Sequence, residues 1–449
     1  MDWAKEHGFE PKQDAALNVM FDVPATPGME NTPLVILQVH MDMVVAVAEG
    51  KDFDPLNDPI TMIRNEEANT LTADGTSLGA DDGAGCAFTM AAAAGKMAHG
   101  PLRVIITTDE EDGMTGAFGL SSEWLKDAAY LINLDNEVSN QVLVSTASGD
   151  TVTAVMQPAF GPASGDLALH IELGGLKGGH SGVEIDKGRA NGIKAVAGFL
   201  KLLQEQEIPF ELASFNGGTA SNAIPNHAEC VIVLAAADTD AVTQLAAEYE
   251  ARLQKDYAGI EEGIRLTVSA AESVPSVISR EDAQHIIRYL AEITDGIYTM
   301  SPDMEGLVES SSNIGIAALI EEEGFRAAAL VRSSSAPFEE ELISAHHRLA
   351  DECGLEFNAI NTALPWAYNP DSKLLALAKE LYREQNGEEI EVAAVHAGLE
   401  CGTFKVLNPD LDMISIGPDL TDVHTTGETF YLETLPRVWH LLEGLLAGV

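Results

Sequence analysis

Four short apolar segments in this chain are each followed by histidine or acidic residues, and this arrangement limits the folds that are possible. The segments are Leu34–Val39, Leu102–Thr107, Tyr130–Leu134 and Met413–Ile416, and each has the length and composition of a buried strand. Helix-like stretches such as Ala84–Lys96 lie between the early ones. Strands that alternate with helices predict an α/β domain around a mostly parallel central sheet.

Side chains that can bind metal ions follow all four predicted strands. They are His40 and Asp42 after the first strand, Glu110 and Glu111 after the second, Asp135 after the third, and His424 after the fourth. A further acid, Asp81, lies in the glycine-rich loop GTSLGADDGAG before the first helix. Ligands of open α/β sheets bind beyond the carboxyl ends of the strands, so we expect these groups in one crevice.

Each of these residues also has an ordinary structural explanation. A histidine after a strand is usually a polar loop residue, and the adjacent acids Glu110 and Glu111 would suit a solvated surface. Asp81 would serve as the N-cap of a helix. None of these explanations accounts for the position of all the residues at strand ends, and this convergence favours a metal site.

Imidazole and carboxylate ligands together fit a pair of zinc ions. Catalytic zinc keeps one tetrahedral position open for water, and two ions about 3.5–4 Å apart clamp the attacking oxygen and lower its pKa. One carboxylate has to bridge the ions, and the loop position of Asp81 suits that role. Asp42 is placed to accept the second N–H of His40. One of Glu110 and Glu111 would bind metal while the other takes the proton from the bridging water.

Two joints rich in glycine and proline, Gln157–Asp166 and Pro365–Ser372, divide the chain. Between them, strands and long helices recur in a different rhythm, which predicts an α+β domain inserted into the α/β domain. We therefore predict a catalytic domain formed by residues 1–156 and 366–449 and a substrate-binding lid formed by residues 157–365. The inserted region is long enough for two small βαββαβ-like units.

The charge balance excludes several classes of partner. The chain has 25 basic and 71 acidic residues, a formal net charge of −46, which repels nucleic acid and anionic membranes. Its first residues do not resemble a signal peptide, and no apolar run reaches the roughly 18 residues of a membrane span. The four cysteines are scattered and indicate reduced thiols. A cytoplasmic protein is therefore expected.

Several motifs resemble those of one family of enzymes. These are HMDMV, GTSLGADDGAG, TTDEEDGMTGAFGL, LINLDNE, GLKGGHSGVEIDKGRAN, NAIPN, VRSS, HAGLECG and GPDLTDVHTTGE. In order, from about residue 23 to the end, they resemble the aminoacyl-histidine dipeptidases. These are cytosolic non-specific dipeptidases of the two-zinc aminopeptidase/carboxypeptidase clan. The resemblance implies a metal-dependent dipeptidase that acts on dipeptides such as Xaa-His.

The resemblance also implies a role for each residue of the metal centre. Two Zn²⁺ ions are expected, with Co²⁺ or Mn²⁺ as substitutes. The expected ligands are His40 and Asp135 for one ion, Glu111 and His424 for the other, and Asp81 as the bridge. The peptide bond after Asp81 is expected to be cis. Glu110 is expected to be the general base that acts on the zinc-bound water, with Asp42 supporting His40.

Five further residues are implied to contact the substrate. His180 would donate to the scissile carbonyl, Asn222 and Arg332 would hold the peptide, and Gly398 and Glu400 would line the site near its amine. A planar guanidinium suits a terminal carboxylate. The alternatives are an exposed histidine in a glycine-rich turn, a surface ion pair for Arg332 and an ordinary helix acid for Glu400. A homodimer is compatible with the pattern, and His180 is expected to act within its own chain.

The chain departs from the family pattern in three places. Val39 stands where the family usually has a glycine before the metal histidine. The proline that usually follows the His424 loop is replaced within Thr425–Gly427. An N-terminal segment of the catalytic domain is also expected to be absent. None of these departures removes a ligand. Two other functions stay open, a two-zinc amide hydrolase for N-acyl amino acids or tripeptides, and a non-catalytic relative that binds metal or peptides.

Overall fold

The computed structural model describes all residues, 1–449, and its contacts divide the chain into two compact units. Unit 1 comprises Met1–Thr146 and Ala363–Val449, and unit 2 comprises Ala147–Thr362. Unit 1 is therefore discontinuous in sequence, and unit 2 is a single insertion. Strands and helices are numbered below in chain order.

Unit 1 contains two sheets and six helices. The larger sheet is formed by β1 (Lys12–Gln13), β2 (Val19–Val23), β3 (Leu34–His40), β6 (Leu102–Thr107), β7 (Ala128–Asn133), β8 (Gln141–Thr146), β22 (Glu391–Val395) and β23 (Asp412–Ser415). The smaller sheet is formed by β4 (Met62–Asn65), β5 (Thr70–Ala73), β24 (Leu420–Thr421) and β25 (Thr429–Tyr431). The helices are α1 (Asp2–Glu6), α2 (Ala80–Ala94), α3 (Thr115–Phe118), α8 (Lys373–Asn386), α9 (Glu400–Leu407) and α10 (Leu435–Gly448).

The larger sheet has the order β1-β2-β6-β3-β7-β23-β8-β22. β3 pairs in parallel with β6 and β7, and β23 pairs in parallel with β7, so the carboxyl ends of these four strands lie along one edge. Such strands are covered on both faces, which explains their continuous apolar runs. Ile36 and Ile105, both fully buried, belong to a core that also contains Phe404 of α9. The predicted α/β class with a mostly parallel sheet is confirmed.

Unit 2 contains thirteen strands and four helices. The strands are β9 (Gly149–Met156), β10 (Phe160–Pro162), β11 (Leu167–Gly174), β12 (Gly179–His180), β13 (Glu211–Gly217), β14 (Ala223–Ile224), β15 (Ala228–Leu234), β16 (Arg265–Ala270), β17 (Ser276–Ile278), β18 (Gly296–Met300), β19 (Val308–Ile320), β20 (Gly324–Ser333) and β21 (Glu356–Ala363). The helices are α4 (Gly192–Glu205), α5 (Thr239–Asp256), α6 (Arg280–Glu292) and α7 (Ala336–Glu352).

A single large sheet runs through unit 2, in the order β16-β11-β15-β13-β19-β20-β9-β21 with β18 beside β19. The antiparallel pairing of β13 with β19 joins strands from the two halves of the insertion, so the two small units considered from length share one sheet. α4 packs against the sheet, and its Phe199 belongs to the same buried core as Phe215 and Tyr289. None of the helices in the structure combines the length and apolarity that crossing a membrane requires.

The boundaries of unit 2 differ from those predicted for the inserted domain. β9 falls within residues 1–156, the first part of the predicted catalytic domain, but it pairs with β20 and belongs to unit 2. Unit 2 therefore begins at Ala147 instead of residue 157, and it ends at Thr362 instead of residue 365. The glycine- and proline-rich joint at Gln157–Asp166 lies inside unit 2, because it connects strands of that unit.

Candidate metal centre and neighbouring groups

The strand ends of unit 1 bring one histidine and two aspartates together. His40 is the last residue of β3, Asp135 follows β7, and Asp81 lies in the first turn of α2. His40 Nε2 lies 3.0 Å from Asp81 Oδ1 and 3.3 Å from Asp135 Oδ1. The three residues therefore present ligand atoms to one point, as a metal ion requires.

A second group of three ligands shares Asp81. His424 Nε2, in the connection between β24 and β25, lies 3.0 Å from Asp81 Oδ2 and 2.9 Å from Glu111 Oε2. The two carboxylate oxygens of Asp81 thus face two different histidines, which is the geometry of a bridging ligand. The Asp81-Asp82 peptide bond is cis, as expected.

No lysine or arginine forms an ion pair with the carboxylates of these two groups, so the histidines carry the compensating charge. Burial disfavours protonation of His40, yet the neighbouring carboxylates of Asp135, Asp42 and Asp81 raise its pKa well above the ordinary value. Hydrogen bonds with Asp81 and Glu111 raise the pKa of His424 to about 10.

Burial, helped by the charge of Asp81, raises the pKa of Asp135 to about 7 despite its contact with His40. Two nearby carboxylate oxygens, Asp42 Oδ1 and Glu111 Oε1, are buried without a hydrogen-bond partner. Crowded carboxylates, unpartnered oxygens and histidines that hold protons fit a site for divalent cations, because cations would replace those protons.

Asp42 supports His40 differently from the sequence-based prediction. The Nδ1 atom of His40 donates to the main-chain carbonyl of Asp42 at 3.1 Å, whereas the nearer carboxylate oxygen lies 3.5 Å away. The other carboxylate oxygen accepts the main-chain N–H of Glu111 at 3.1 Å. Either contact leaves Nε2 of His40 free to bind metal, and the Asp42 carboxylate also fixes the segment that carries Glu111.

Glu110 lies beside both ligand groups, with a carboxylate oxygen within 4.8 Å of the ligand atoms of His40 and Glu111. Burial and the charges of Asp135 and Glu400 raise the pKa of Glu110 to about 9. The electrostatic potential at Glu110 is negative because several carboxylates lie close to it. Glu110 therefore has a proton affinity that depends strongly on the cations beside it.

A buried hydrogen-bond network behind the ligands was not predicted from the sequence. Gln38 donates to Glu400 at 2.6 Å and accepts from Asn133 at 2.6 Å, while Thr107 donates to Glu400 at 2.7 Å. Burial raises the pKa of Glu400 to about 8. The available signal was a lone polar residue inside each apolar strand, Gln38 in LVILQV and Asn133 in YLINL.

Glu400 and Gly398 both lie in closely packed surroundings. Glu400 is fully buried at the start of α9, and its Oε1 atom has no hydrogen-bond partner. At Gly398, an added Cβ atom would lie 2.6 Å from the Cβ of Ala363. Glu400 is therefore not an ordinary exposed helix acid, and close packing alone is sufficient to require glycine at 398.

In unit 2, hydrogen bonds from main-chain N–H groups fix the tautomer of the neutral His180 ring. Its Nδ1 atom accepts from the N–H groups of Gly182 at 3.1 Å and Val183 at 3.2 Å. The main-chain N–H of His180 donates to Glu184 at 2.9 Å, and Arg189 donates to the same carboxylate at 2.7 Å. Since Nδ1 is an acceptor, the neutral ring carries its proton on Nε2 and can donate from that atom.

Arg332, on β20, is a buried cation with no ion-pair partner. Only 7% of the residue is exposed, its Nε atom has no hydrogen-bond partner, and burial lowers its pKa to about 10. Burial and the charge of Arg332 together lower the pKa of His180, which keeps that ring neutral. Asn222 is exposed, and its main-chain carbonyl accepts from the main-chain N–H of Ser181 at 2.8 Å. The surface ion pair considered for Arg332 is not formed.

Comparison with known sequences shows which class of enzyme carries these ligand clusters, a metal-dependent hydrolase of peptide bonds. The sequence matches peptidase family M20/M25/M40 over residues 36–448, and the chain belongs to this family. It is 34% identical over 449 residues to the cytosol non-specific dipeptidase of Escherichia coli, covering all of this chain and 92% of that protein. The predicted family and enzyme class are confirmed by these matches.

Two solved structures illustrate the range of the likeness. The aminoacylhistidine dipeptidase of Vibrio alginolyticus has a TM-score of 0.92 at 34% identity, and the match covers all of this chain and 91% of that one. An aminopeptidase of Bacillus cereus has a TM-score of 0.54 at 16% identity, over 99% of this chain and 90% of that one. The second match shows a shared fold alone.

Proposed function

We propose that this protein is a dipeptidase that hydrolyses dipeptides such as Xaa-His with two zinc ions, for which Co²⁺ or Mn²⁺ can substitute. The observation that carries the proposal is the position of Asp81, whose two oxygens each lie 3.0 Å from a different histidine. The names of the relatives from Escherichia coli and Vibrio alginolyticus support a dipeptide substrate. The first of these names also supports a cytoplasmic location.

The proposed ligands are His40 and Asp135 for one ion, Glu111 and His424 for the other, and Asp81 for both. Zinc held by these residues would polarise the scissile carbonyl and lower the pKa of water. Asp42 would fix the ring of His40 through its main-chain carbonyl and the segment of Glu111 through its carboxylate.

Glu110 is the proposed general base. It would be a carboxylate at neutral pH once divalent cations offset the negative field that now raises its pKa to about 9. Glu110 would take a proton from the attacking water and pass it to the leaving amine. Its neighbour Glu111 is engaged with His424 at 2.9 Å and is the better ligand of the two.

In unit 2, Arg332 is proposed to bind the terminal carboxylate of the peptide, with Asn222 as a second polar contact. A buried guanidinium without an ion pair supports this role, because a carboxylate would satisfy it through two parallel hydrogen bonds. His180 would donate from Nε2 to the carbonyl oxygen as negative charge develops there. Gly398 and Glu400 are proposed to lie near the amine of the substrate.

The test compares the adjacent variants Glu110→Gln and Glu111→Gln. Glu110→Gln should keep two Zn²⁺ per chain and lose at least ~10²-fold in kcat, whereas Glu111→Gln should lose zinc. Metal analysis and a panel of Xaa-His dipeptides, tripeptides and N-acetyl amino acids provide the measurements. If Glu110→Gln loses zinc and Glu111→Gln keeps it, Glu110 is the ligand and Glu111 is the general base. A parent protein that prefers tripeptides or N-acetyl amino acids would refute the dipeptidase assignment.

A further inference from the structure

Glu428 is a buried acid outside both ligand groups, and its carboxylate binds the loop that carries Asp81. Oε2 accepts the main-chain N–H groups of Leu78 at 2.6 Å and Gly79 at 2.9 Å, and Oε1 accepts that of Ala80 at 2.7 Å. A longer contact of 3.5 Å reaches the N–H of Asp81 itself. One carboxylate thus accepts hydrogen bonds from successive main-chain N–H groups at the start of α2.

The same residue belongs to the segment that carries His424. Glu428 follows His424 by four positions and precedes β25, which pairs with β24 and β5. Asp422 and His424 have positive φ angles of 53° and 64°, so this segment adopts a conformation that local sequence preference does not favour. The hydrogen bonds of Glu428 therefore connect two ligand-bearing loops that lie about 350 residues apart in the chain.

An additional carboxylate near this cluster is electrostatically unfavourable unless it has enough donors. Only 3% of Glu428 is exposed, and its bonds to N–H groups at a helix N-terminus offset its desolvation and its repulsion from the ligand acids. Glutamine offers a single oxygen, and its amide group would face N–H donors instead of accepting from them. Charge and two acceptor oxygens are therefore both needed here.

We propose that Glu428 is a positioning residue that sets Asp81 against His424, so that the bridge is held in place before metal binds. This inference rests on the two-metal site of the proposed function. Residues that orient metal ligands typically contribute 10- to 100-fold to metal affinity. We expect Glu428→Gln to weaken Zn²⁺ binding at least tenfold, mainly for the ion that is assigned to Glu111 and His424.

If Glu428 only stabilised the fold, Glu428→Gln would lower the melting temperature without changing Zn²⁺ affinity. A matched control variant separates this role from the positioning role. Glu261 in unit 2 is also buried, at 1% exposure, and accepts from the main-chain N–H groups of Lys177 at 2.9 Å and Ala190 at 3.3 Å. Glu261→Gln should lower the melting temperature of the metal-free protein but leave Zn²⁺ affinity unchanged. Glu428→Gln should lower both.

The experiment titrates the metal-free full-length parent, Glu428→Gln and Glu261→Gln proteins with Zn²⁺ in competition with a chromophoric chelator, and records melting temperatures without metal. Glu428→Asp, which keeps the charge, replaces Glu428→Gln if the latter does not fold. Zn²⁺ affinity equal to that of the parent in the folded Glu428 variant would overturn the inference. A parent that binds fewer than two Zn²⁺ would instead refute the proposed function.

Discussion

Each of the two units contains buried charged side chains that lack a full set of oppositely charged partners. The unpaired charge is negative in unit 1 and positive in unit 2. In unit 1, the carboxylates around Asp81 face only histidines as partners. In unit 2, Arg332 is buried without any ion pair. Buried charges are normally paired, which is the physical basis for the proposed ligands, cations in unit 1 and the carboxylate of a peptide in unit 2.

The pKa values of the histidines in the two units are shifted in opposite directions by these charges. His40 is surrounded by acids, which raise its pKa, whereas burial and Arg332 lower the pKa of His180. One histidine therefore holds protons in place of a cation, and the other stays neutral with its donor on Nε2. The same type of side chain therefore has a raised pKa among the acids of unit 1, and in unit 2 it has a lowered pKa and an N–H donor on Nε2.

The largest expected effect tests the need of unit 1 for cations. Asp81→Ala should remove at least one Zn²⁺ per chain and lower dipeptide hydrolysis by about 10³-fold, because each metal ion supplies several kcal/mol of charge stabilisation. Metal analysis and hydrolysis rates check both parts. Asp74→Ala, at an exposed acid in the same connection to α2, is the control and should resemble the parent. Unchanged zinc content in Asp81→Ala would remove the bridge from the proposal.

A smaller effect tests the need of unit 2 for an anion. Arg332→Lys keeps the charge but loses the paired hydrogen bonds, and one charge-assisted bond contributes roughly 1.5–3 kcal/mol. We expect kcat/KM for dipeptides to fall about 10- to 150-fold, with little change for dipeptides amidated at the carboxyl terminus. Arg326→Lys, on the exposed side of β20, is the matched control. If the parent hydrolyses free and amidated dipeptides equally well, Arg332 has no such role.

The smallest effect concerns Glu339 of unit 2, a carboxyl group that should respond to protons and not to metal. Burial and a hydrogen bond with Asp150 raise the pKa of Glu339 to about 8. Because this pKa is raised, the stability it provides is complete below the ordinary value of 4.5 and is lost as pH rises through about 8.

Glu339→Gln should therefore melt at a temperature close to that of the parent at pH 5 and a few degrees above it at pH 9. Thermal unfolding across this range measures the difference, with Glu340→Gln, at the exposed neighbouring residue, as the control. A Zn²⁺-dependent change in the pH response of Glu339 would contradict the expected contrast between the two units.

The sequence predicted the parallel strands of unit 1 well, because strands buried on both faces leave continuous apolar runs. The strand predicted at Leu102–Thr107 has those same bounds, and the one predicted at Leu34–Val39 extends by one residue to His40. In unit 2, individual strands were also recognisable, but the pairing of β13 with β19 joins residues about 100 positions apart. No local pattern encodes that pairing.

The candidate site was predictable as far as residue type and strand position allow. His40 and Asp135 stand at strand ends, where metal ligands of α/β sheets are expected. The main-chain carbonyl of Asp42 as the partner of His40 was not predictable, because every residue has such a group. Glu428 was not predictable either, since its donors are main-chain N–H groups far away in the sequence.

The discontinuous composition of unit 1 has a consequence for how the protein is made. β23 lies between β7 and β8 in the central sheet, although it follows both of them and the whole of unit 2 in the sequence, and His424 comes after it. Since domains fold as units during synthesis, unit 2 can complete its own sheet before the strand that fills this gap in unit 1 has been made. The set of proposed ligands is likewise complete only after His424 has been synthesised, so unit 2 can fold before the proposed metal centre can form.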